Sequence, residues 1–269
     1  MILDLIPPDS GRVQLEGKDV YSTISDGGSE DARYLRRNMQ MVCQDPYGSL
    51  DPRMTVFDIL SEPFIIHRNI PRNRWKDRVY ELLKMVGLEE YHAERYPHEF
   101  SGGQRQRISI ARALATEPKF IVADEPVSSL DVSVRAQILN LLEELQKKVG
   151  VSLLYISHDL SSVRQISHHV SVMYLGKIFE YATADRLFEK PLNPYTIALL
   201  SAIPVPDPER QTKRIILPGD VPSPVNPPSG CRFHPRCPYA TDLCKNEEPP
   251  LRELEKEHFV ACHYAEKFL

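Results

Sequence analysis

The sequence predicts an α/β protein with a buried parallel sheet, and three observations support this prediction. Two short apolar runs, Phe120 to Ala123 and Ser152 to Ile156, have the length and composition of buried strands. Between them, apolar residues recur at helical spacing along one face, at Val134, Ile138, Leu141, Leu142 and Leu145. Strand, helix and strand in this order favour parallel strands joined by a crossover helix.

The elements before this core are predicted from shorter patterns. Arg12 to Val20 alternates weakly and follows the turn Pro8 to Gly11, which predicts a strand or hairpin. Met39 to Val42 is short and apolar and predicts another strand. From residue 56 to residue 115 the pattern is helical, with a clear helix over 74–86.

The chain changes character after Lys190. Val170 to Tyr181 predicts a hairpin around Gly176, the last regular pair of strands we expect. Prolines then crowd Pro191 to Pro228, which predicts an extended, poorly regular segment leading into a cysteine-rich tail. We therefore divide the chain into a domain over 1–190, with a helical subdomain over about 52–112, and a C-terminal extension over 191–269.

Composition excludes several classes of protein. The 269 residues are 42% hydrophobic and 26% charged, as in ordinary globular domains. A net charge of −4 gives no electrostatic basis for nucleic-acid binding. No apolar run approaches the roughly 18 residues of a membrane-spanning helix, and the start of the chain does not resemble a signal peptide. We expect a cytoplasmic protein that reaches a membrane only through a partner.

Two adjacent acids end the Phe120 run, and their position suggests chemistry. Asp124 could hold Mg²⁺, usually through water, and Glu125 could polarise an attacking water molecule. The alternative is a strand end with two solvated acids.

Other polar groups stand at informative positions around this pair. Ser101 is a plausible N-cap before two glycines, where backbone amides and the helix dipole can bind an anion. His158 follows the second buried strand and could touch a γ-phosphate. Gln44 follows the Met39 run and could sense Mg²⁺ and water. Taken singly, each has a structural alternative: a capped helix, a satisfied histidine, or an unremarkable glutamine.

In order and spacing, these elements resemble the nucleotide-binding subunit of ABC transporters. The resemblance implies an ABC ATPase with a P-loop NTPase-like core and a helical signature subdomain, which uses ATP and Mg²⁺. It assigns Gln44 to the Q-loop, Ser101, Gly102, Gly103 and Gln104 to the signature motif, Phe120 to Asp124 to Walker B, Glu125 to the catalytic glutamate, Ser128 to Asp131 to the D-loop, and His158 to the switch histidine. Asp124 and Gln44 are the implied Mg²⁺ residues, and Asp131 belongs to the nucleotide site.

Three further segments resemble the oligopeptide, dipeptide and nickel branch of import ATPases: Gln44 to Arg53, Asn193 to Thr196, and Cys231 to Pro238. This resemblance implies a second ATPase subunit in a head-to-tail dimer and transmembrane permease subunits. A solute-binding protein takes part indirectly. It also implies a place on the cytoplasmic face of the membrane, with the helical insert contacting the permease. A non-transport ABC ATPase is the alternative, although it usually carries tandem cassettes or a coiled-coil insertion.

ABC ATPases bind phosphate with a Walker A loop, G-x-x-x-x-G-K-[ST], and no segment of this sequence matches that pattern. The nearest segment, Gly11 to Asp19, is one residue too long and places Asp19 where a hydroxyl is needed. We interpret it as a hairpin and Met1 to Leu5 as the end of the Walker A helix. A fragment or misplaced start, or else a naturally degenerate subunit, would explain this. Either predicts that the chain alone does not hydrolyse ATP, although it could complete a partner's site.

The tail cysteines are spaced more loosely than the ligands of common zinc sites, and four cysteines with such spacing also suit an iron–sulfur cluster. The resemblance implies a [4Fe–4S] cluster, with zinc and unligated cysteines as alternatives. His234 and His263 are possible substitute ligands, and Cys43 is expected to be a packed small residue. The proposed ligands are Cys231, Cys237, Cys244 and Cys262.

Overall fold

A computed structural model describes residues 2–3, 5–25, 30–203 and 214–269. The chain divides into two compact units, Met1–His158 and Asp159–Leu269, which are described separately. Residues 1 and 4 of the predicted helix end lie outside the described residues. The predicted domain boundary at residue 190 lies inside the second unit, between strands of one sheet. The division into an ATPase domain and a C-terminal extension therefore stays a prediction.

Unit 1 contains two groups of strands and a series of helices. Its strands are β1 (Gln14–Leu15), β2 (Lys18–Asp19), β3 (Met39–Val42), β4 (Phe120–Asp124) and β5 (Ser152–Ile156). Its helices are α1 (Val20–Ser25), α2 (Glu30–Asn38), α3 (Pro46–Ser49), α4 (Val56–His67), α5 (Trp75–Met85), α6 (Gly102–Leu114) and α7 (Val132–Val149). The predicted hairpin is confirmed as β1 and β2, whose turn residues Glu16 and Gly17 have positive φ angles of 50° and 78°.

The central sheet of unit 1 has the order β3-β4-β5 and is parallel throughout. Val42 pairs with Ala123, and Asp124 pairs with Ile156, so the three carboxyl ends lie at one edge. The predicted parallel strands are thereby confirmed. Helix α7 is the crossover between β4 and β5, and it ends at Gly150, whose φ of 72° suits a helix C-terminus.

Helices α4 to α6 form the predicted helical insert. Thr55 and Asp58 begin α4 with a capping box, in which each side chain accepts a hydrogen bond from the other's backbone amide. On α5, the spacing of Val79, Leu82 and Leu83 predicts one buried face, and all three are fully buried. Burial of each such side chain contributes roughly 1.5–3 kcal/mol, so packing rather than helix propensity holds the insert.

Unit 2 is built on a four-stranded antiparallel sheet of order β6-β7-β9-β8. Its strands are β6 (His169–Tyr174), β7 (Lys177–Thr183), β8 (Arg252–Glu255) and β9 (His258–Val260). Its helices are α8 (Leu160–Ile166), α9 (Ala184–Glu189), α10 (Pro194–Ser201) and α11 (Asp242–Asn246). The predicted hairpin around Gly176 is confirmed, but the tail adds β9 and β8 to it, so the extension is more regular than predicted.

Helix α10 corrects the prediction of an extended segment over residues 191–228. Asn193 caps this helix by accepting a hydrogen bond from the Tyr195 amide at 2.9 Å. Pro194 follows at the first helical position, where its fixed φ and missing N–H favour a helix start. Over 214–228, the described remainder of this segment, the chain forms no helix or strand.

A buried carboxylate joins the tail to the sheet of unit 2. Glu180 on β7 is fully buried and accepts hydrogen bonds from the amides of Leu192 and Asn193 and from His258 on β9. The Asn193 side chain donates to backbone carbonyls of Phe179 and Ala261. A buried charge is tolerated only when such partners surround it, so this network fixes how β9 and the start of α10 meet β7.

Within the described residues, no helix combines the length and apolar character needed to cross a membrane.

Candidate functional site

Three of the predicted site residues meet at the carboxyl edge of the parallel sheet. Gln44 lies two residues beyond Val42 on β3, Glu125 directly follows β4, and His158 lies two residues beyond β5. Because the strands are in register, these side chains emerge at the same height. Ligands and catalytic groups of parallel sheets collect at this edge.

Glu125 is the centre of this group, and each of its carboxylate oxygens has a partner. Gln44 Nε2 donates to Glu125 Oε2 at 2.9 Å, and His158 Nδ1 lies 2.9 Å from Glu125 Oε1. Since a carboxylate only accepts, the second contact requires the proton on Nδ1. His158 is largely exposed, whereas Glu125 is mostly buried, so a reactant at this edge reaches both residues from solvent.

The backbone of Glu125 is held in an unusual conformation. Its φ is +45°, in the left-handed region that costs a residue with a Cβ about 1–2 kcal/mol. The Glu125 amide donates to the Ile156 carbonyl at 2.9 Å, which ties this conformation to the end of β5. Strain of this kind often occurs where a side chain must be aimed at a functional site.

The predicted signature residues form a second group at the N-terminus of α6. Ser101 and Gln104 make a capping box, with the Ser101 hydroxyl accepting from the Gln104 amide at 3.3 Å. The amides of Gly102 and Gly103 begin the helix and have no acceptor within it. This helix start can therefore present two donors and its positive dipole end to a phosphate.

Helix α6 also packs tightly on the segment that follows β4, a contact that the sequence did not predict. A Cβ on Gly103 would lie 2.4 Å from Val134 Cγ1, and one on Gly102 would lie 3.5 Å from Leu130 Cδ2. Close packing inside the chain thus favours glycine at position 103, independently of any role in phosphate binding. Asp131 of the predicted D-loop precedes α7 as its N-cap residue and is exposed.

Oxygen-bearing side chains at the sheet edge suit Mg²⁺. Asp124 ends β4 and is half-buried, next to Glu125 and near Gln44 by register. Hard cations prefer carboxylate and amide oxygens, and Mg²⁺ is usually completed by substrate phosphates and water. Within the described ranges, no three Asp, Glu, His or Cys side chains group so that they could hold a metal ion. The side chains at this edge would therefore supply only some of the ligands of a bound Mg²⁺ ion.

In the segment that imitates a phosphate-binding loop, the charged side chains make contacts within the chain. Lys18 on β2 forms an ion pair with Asp31 of α2, and its ammonium lies 4.9 Å from the centre of the Tyr34 ring. Asp19 accepts hydrogen bonds from the amide and hydroxyl of Ser22, which stabilises the start of α1. These contacts agree with the prediction of a hairpin rather than a phosphate loop.

In unit 2, the four tail cysteines line a single cavity of ≈ 20 Å³, about the space of one water molecule. All of them are free thiols: Cys231, Cys237, Cys244 and Cys262. The imidazoles predicted as substitute ligands are engaged elsewhere, His234 with the Cys231 carbonyl and His263 with the Glu247 carbonyl, each at 3.0 Å.

Burial favours the protonated form of three of these thiols. Burial raises the pKa of Cys231 to about 11 and raises the pKa values of Cys237 and Cys262. Because no metal-holding group is found in the part of the chain described, the predicted zinc or iron–sulfur site is not supported by this arrangement. A tetrahedral zinc site would need the sulfurs within about 4 Å of one another, since each lies about 2.3 Å from the ion.

Comparison with known proteins decides the family. Residues 1–128 match the ABC transporter family model, and residues 179–244 match the model of the oligopeptide/dipeptide transporter C-terminal region. A probable peptide ABC transporter ATP-binding protein of Sinorhizobium fredii is 52% identical over 98% of this chain and 73% of the relative. The chain belongs to the ATP-binding proteins of peptide ABC transporters. ABC ATP-binding proteins are ATPases, so the family's reaction is ATP hydrolysis.

Further members and structures agree with this membership. The oligopeptide transport ATP-binding protein AppF of Bacillus subtilis is 50% identical over 97% of this chain and 79% of the relative. The di/tripeptide transport ATP-binding protein DppF of Pseudomonas aeruginosa is 48% identical over 97% of this chain and 80% of the relative. A solved structure of cbiO1 from Clostridium perfringens, part of the ABC transporter complex cbiONQ, is 28% identical over 70% of this chain and 71% of the other, with a TM-score of 0.60.

Proposed function

We propose that this ABC ATP-binding protein powers the import of oligopeptides or dipeptides, with Glu125 as the general base. The observation that supports the role of Glu125 is its carboxylate at the sheet edge, bound by Gln44 and His158 at 2.9 Å each. A carboxylate held in this way can accept a proton from water without reorienting. His158 orients the carboxylate and faces the γ-phosphate, and Gln44 contacts the attacking water and the Mg²⁺ ion.

Mg²⁺, when bound with ATP, neutralises phosphate charge, and Asp124 and Gln44 would hold it. The signature group of this chain contacts the nucleotide in the partner subunit's site. Ser101, Gly102, Gly103 and Gln104 present the start of α6 to the phosphates, and Asp131 lies on the neighbouring D-loop.

The partners we propose are a second ATPase subunit in a head-to-tail dimer, transmembrane permease subunits and, indirectly, a solute-binding protein. The site then lies on the cytoplasmic face of the membrane. One relative structure is a dimeric ATP-binding cassette, MJ0796, bound to ADP and Pi, with 28% identity over 68% of this chain and a TM-score of 0.57. The exposed ring of Tyr47, three residues after Gln44, supports a permease contact beside the Q-loop.

The 269-residue chain by itself lacks a segment with Walker A spacing, and we propose that alone it does not turn over ATP. The second candidate function is completion of a partner's site through the signature group. A mixing experiment tests it: this chain is added to a full-length relative whose own signature serine is replaced by arginine. Phosphate release above the rate of the relative alone is expected.

Two variants of this chain separate the roles in that assay. Ser101→Arg should abolish the recovery, because the phosphate of the partner's site meets this serine. Glu125→Gln should leave it intact, since Glu125 faces this chain's own site. Loss of recovery with both variants, or its absence with the unaltered chain, would contradict the second candidate. Turnover by the chain alone would contradict the proposed inactivity.

A metal in the tail remains a proposal that rests on four cysteines lining one cavity, although the described residues form no metal-holding group. An iron–sulfur cluster separates its thiolates more than one zinc ion does, because each thiolate binds a different iron. Either metal would require the thiols to lose protons, and a [4Fe–4S] cluster, which is larger than one water molecule, would also require the cavity to widen. Metal analysis and visible absorbance after anaerobic purification test this. A brown protein with iron supports the cluster, stoichiometric zinc refutes it, and a metal-free protein refutes both.

A further inference from the structure

A groove in unit 1, away from the sheet edge, carries an imbalance of charge. It has a volume of ≈ 760 Å³ and lies between α5, the middle of α6 and α7. Buried or half-buried apolar side chains line it at Met85, Leu141 and Leu145. Its charged lining comprises four cations and two carboxylates, a balance of +2 in a chain whose net charge is −4: Arg78, Lys84, Arg107, Lys148, Glu81 and Glu144.

Two of these cations already have carboxylate partners. Arg78 pairs with Glu81 at 2.9 Å and with Glu117 at 3.0 Å. Lys148 pairs with Glu144 at 3.1 Å. These pairs use both lining carboxylates and a third, Glu117, beside the groove, so the other two cations are the ones without a carboxylate partner.

Arg107 and Lys84 carry this uncompensated charge. The half-buried Arg107 guanidinium donates to the Val86 carbonyl at 2.6 Å and to Gln137 Oε1 at 3.3 Å, both neutral acceptors. Among the residues described, no carboxylate pairs with Arg107, and no hydrogen bond or ion pair engages the exposed Lys84 ammonium. An anion in the groove would add a charge-assisted hydrogen bond to this guanidinium.

The backbone leaves room beside this guanidinium. Gly87 ends the turn after α5 with a φ of +72°, and a Cβ there would lie 3.1 Å from Arg107 Nη1. A side chain at this position would press on the guanidinium, so glycine keeps the cation accessible from the groove.

We propose that this groove binds a small organic dianion, such as an organic phosphate, between the helical insert and α7. The two unpaired cations supply the charge match, and the lining of Met85, Leu141 and Leu145 accepts an apolar body. The volume falls within the range of small-molecule sites, which is roughly 300–1,000 Å³. A protein partner would need a contact surface of about 1,000 Å² or more, which favours the small ligand. This inference does not depend on the proposed function.

The test uses the whole chain at low ionic strength without ATP. Phenyl phosphate, nearly a dianion at pH 7.5, is the probe, and inorganic phosphate is its match without an apolar body. Amide shifts in an NMR titration give the site and the Kd. We expect shifts around Gly87 and Arg107, and binding of phenyl phosphate roughly tenfold tighter than that of inorganic phosphate.

Matched variants decide whether the groove is responsible. Lys84→Gln removes an unpaired cation from the groove and should weaken binding of phenyl phosphate roughly tenfold. Lys147→Gln removes an equally exposed lysine of α7 that does not line the groove, and should leave the Kd unchanged. Equal Kd values for the two variants would overturn the proposal. So would shifts confined to the start of α6 at Ser101, or no binding of phenyl phosphate at all.

Discussion

The buried carboxylate of Glu180 offers a test of what holds unit 2 together. In Glu180→Gln the side chain keeps its shape but replaces one acceptor oxygen with an NH₂ group. Oε1 accepts from the Leu192 amide at 2.6 Å and from His258 Nε2 at 2.7 Å, whereas Oε2 accepts from the Asn193 amide at 3.1 Å. Whichever way the new amide turns, at least one buried N–H loses its acceptor and faces another donor.

The magnitude follows from these contacts. A buried donor left without an acceptor costs about 1–3 kcal/mol, and hydrogen bonds to a charged group are roughly twice as strong as neutral ones. We therefore expect Glu180→Gln to lower the free energy of unfolding by about 2–4 kcal/mol. Urea denaturation gives this value, and hydrogen exchange at the Asn193 amide tests whether the loss is local.

Glu255→Gln is the matched control on the same sheet. Glu255 pairs with Arg186 and Lys190, whose side chains are 48% and 45% exposed. Exposed ion pairs contribute about 0–1 kcal/mol, so this substitution should cost less than 1 kcal/mol. Equal losses in the two variants, or unchanged protection of the Asn193 amide in Glu180→Gln, would refute the assigned role of the buried carboxylate.

Three further predictions follow from contacts in the two units. Gly103→Ala should lower the free energy of unfolding by about 1–3 kcal/mol because the new Cβ would lie 2.4 Å from Val134 Cγ1. In a double-mutant cycle, Val134→Ala should recover most of this loss, and additive losses would contradict the prediction. Burial raises the pKa of Cys231 from 9.0 to about 11, so folding favours the protonated thiol. The free energy of unfolding should therefore fall as the pH rises from 9 towards 11. The midpoint of urea denaturation measures this fall, which should be smaller in Cys231→Ala. Burial, with two arginines of α2, lowers the pKa of His67 from 6.5, so stability should fall as pH drops below 6.5, and His67→Gln should remove this dependence.

The sheet edge was predictable because its signals are local. Apolar runs marked β3, β4 and β5, and the polar site residue follows each strand within two positions in the sequence. Parallel strands in register then bring Gln44, Glu125 and His158 together whatever lies between them. The close packing of Gly103 on Val134 was not predictable, since glycine spacing carries no information about which side chain lies opposite.

The errors in the tail have physical causes. Proline content suggested an extended segment, but Asn193 followed by Pro194 is a helix start, and this signal could have been recognised. Strands β8 and β9 are short, and β8 is largely charged, so neither shows a strand pattern. The pairing of β9 with β7 joins residues about 80 positions apart, beyond the reach of any local rule.

The pairing of β7 with β9 also affects the order of events during synthesis. β7 leaves the ribosome long before residues 258–260 exist, so for that interval one edge of β7 has no partner strand and the Glu180 carboxylate lacks its contact with His258. At about 5–20 residues per second, that interval lasts roughly 4–16 s. Unit 1 can complete its parallel sheet earlier, and unit 2 must stay open to chaperones and to other chains until its last strand arrives.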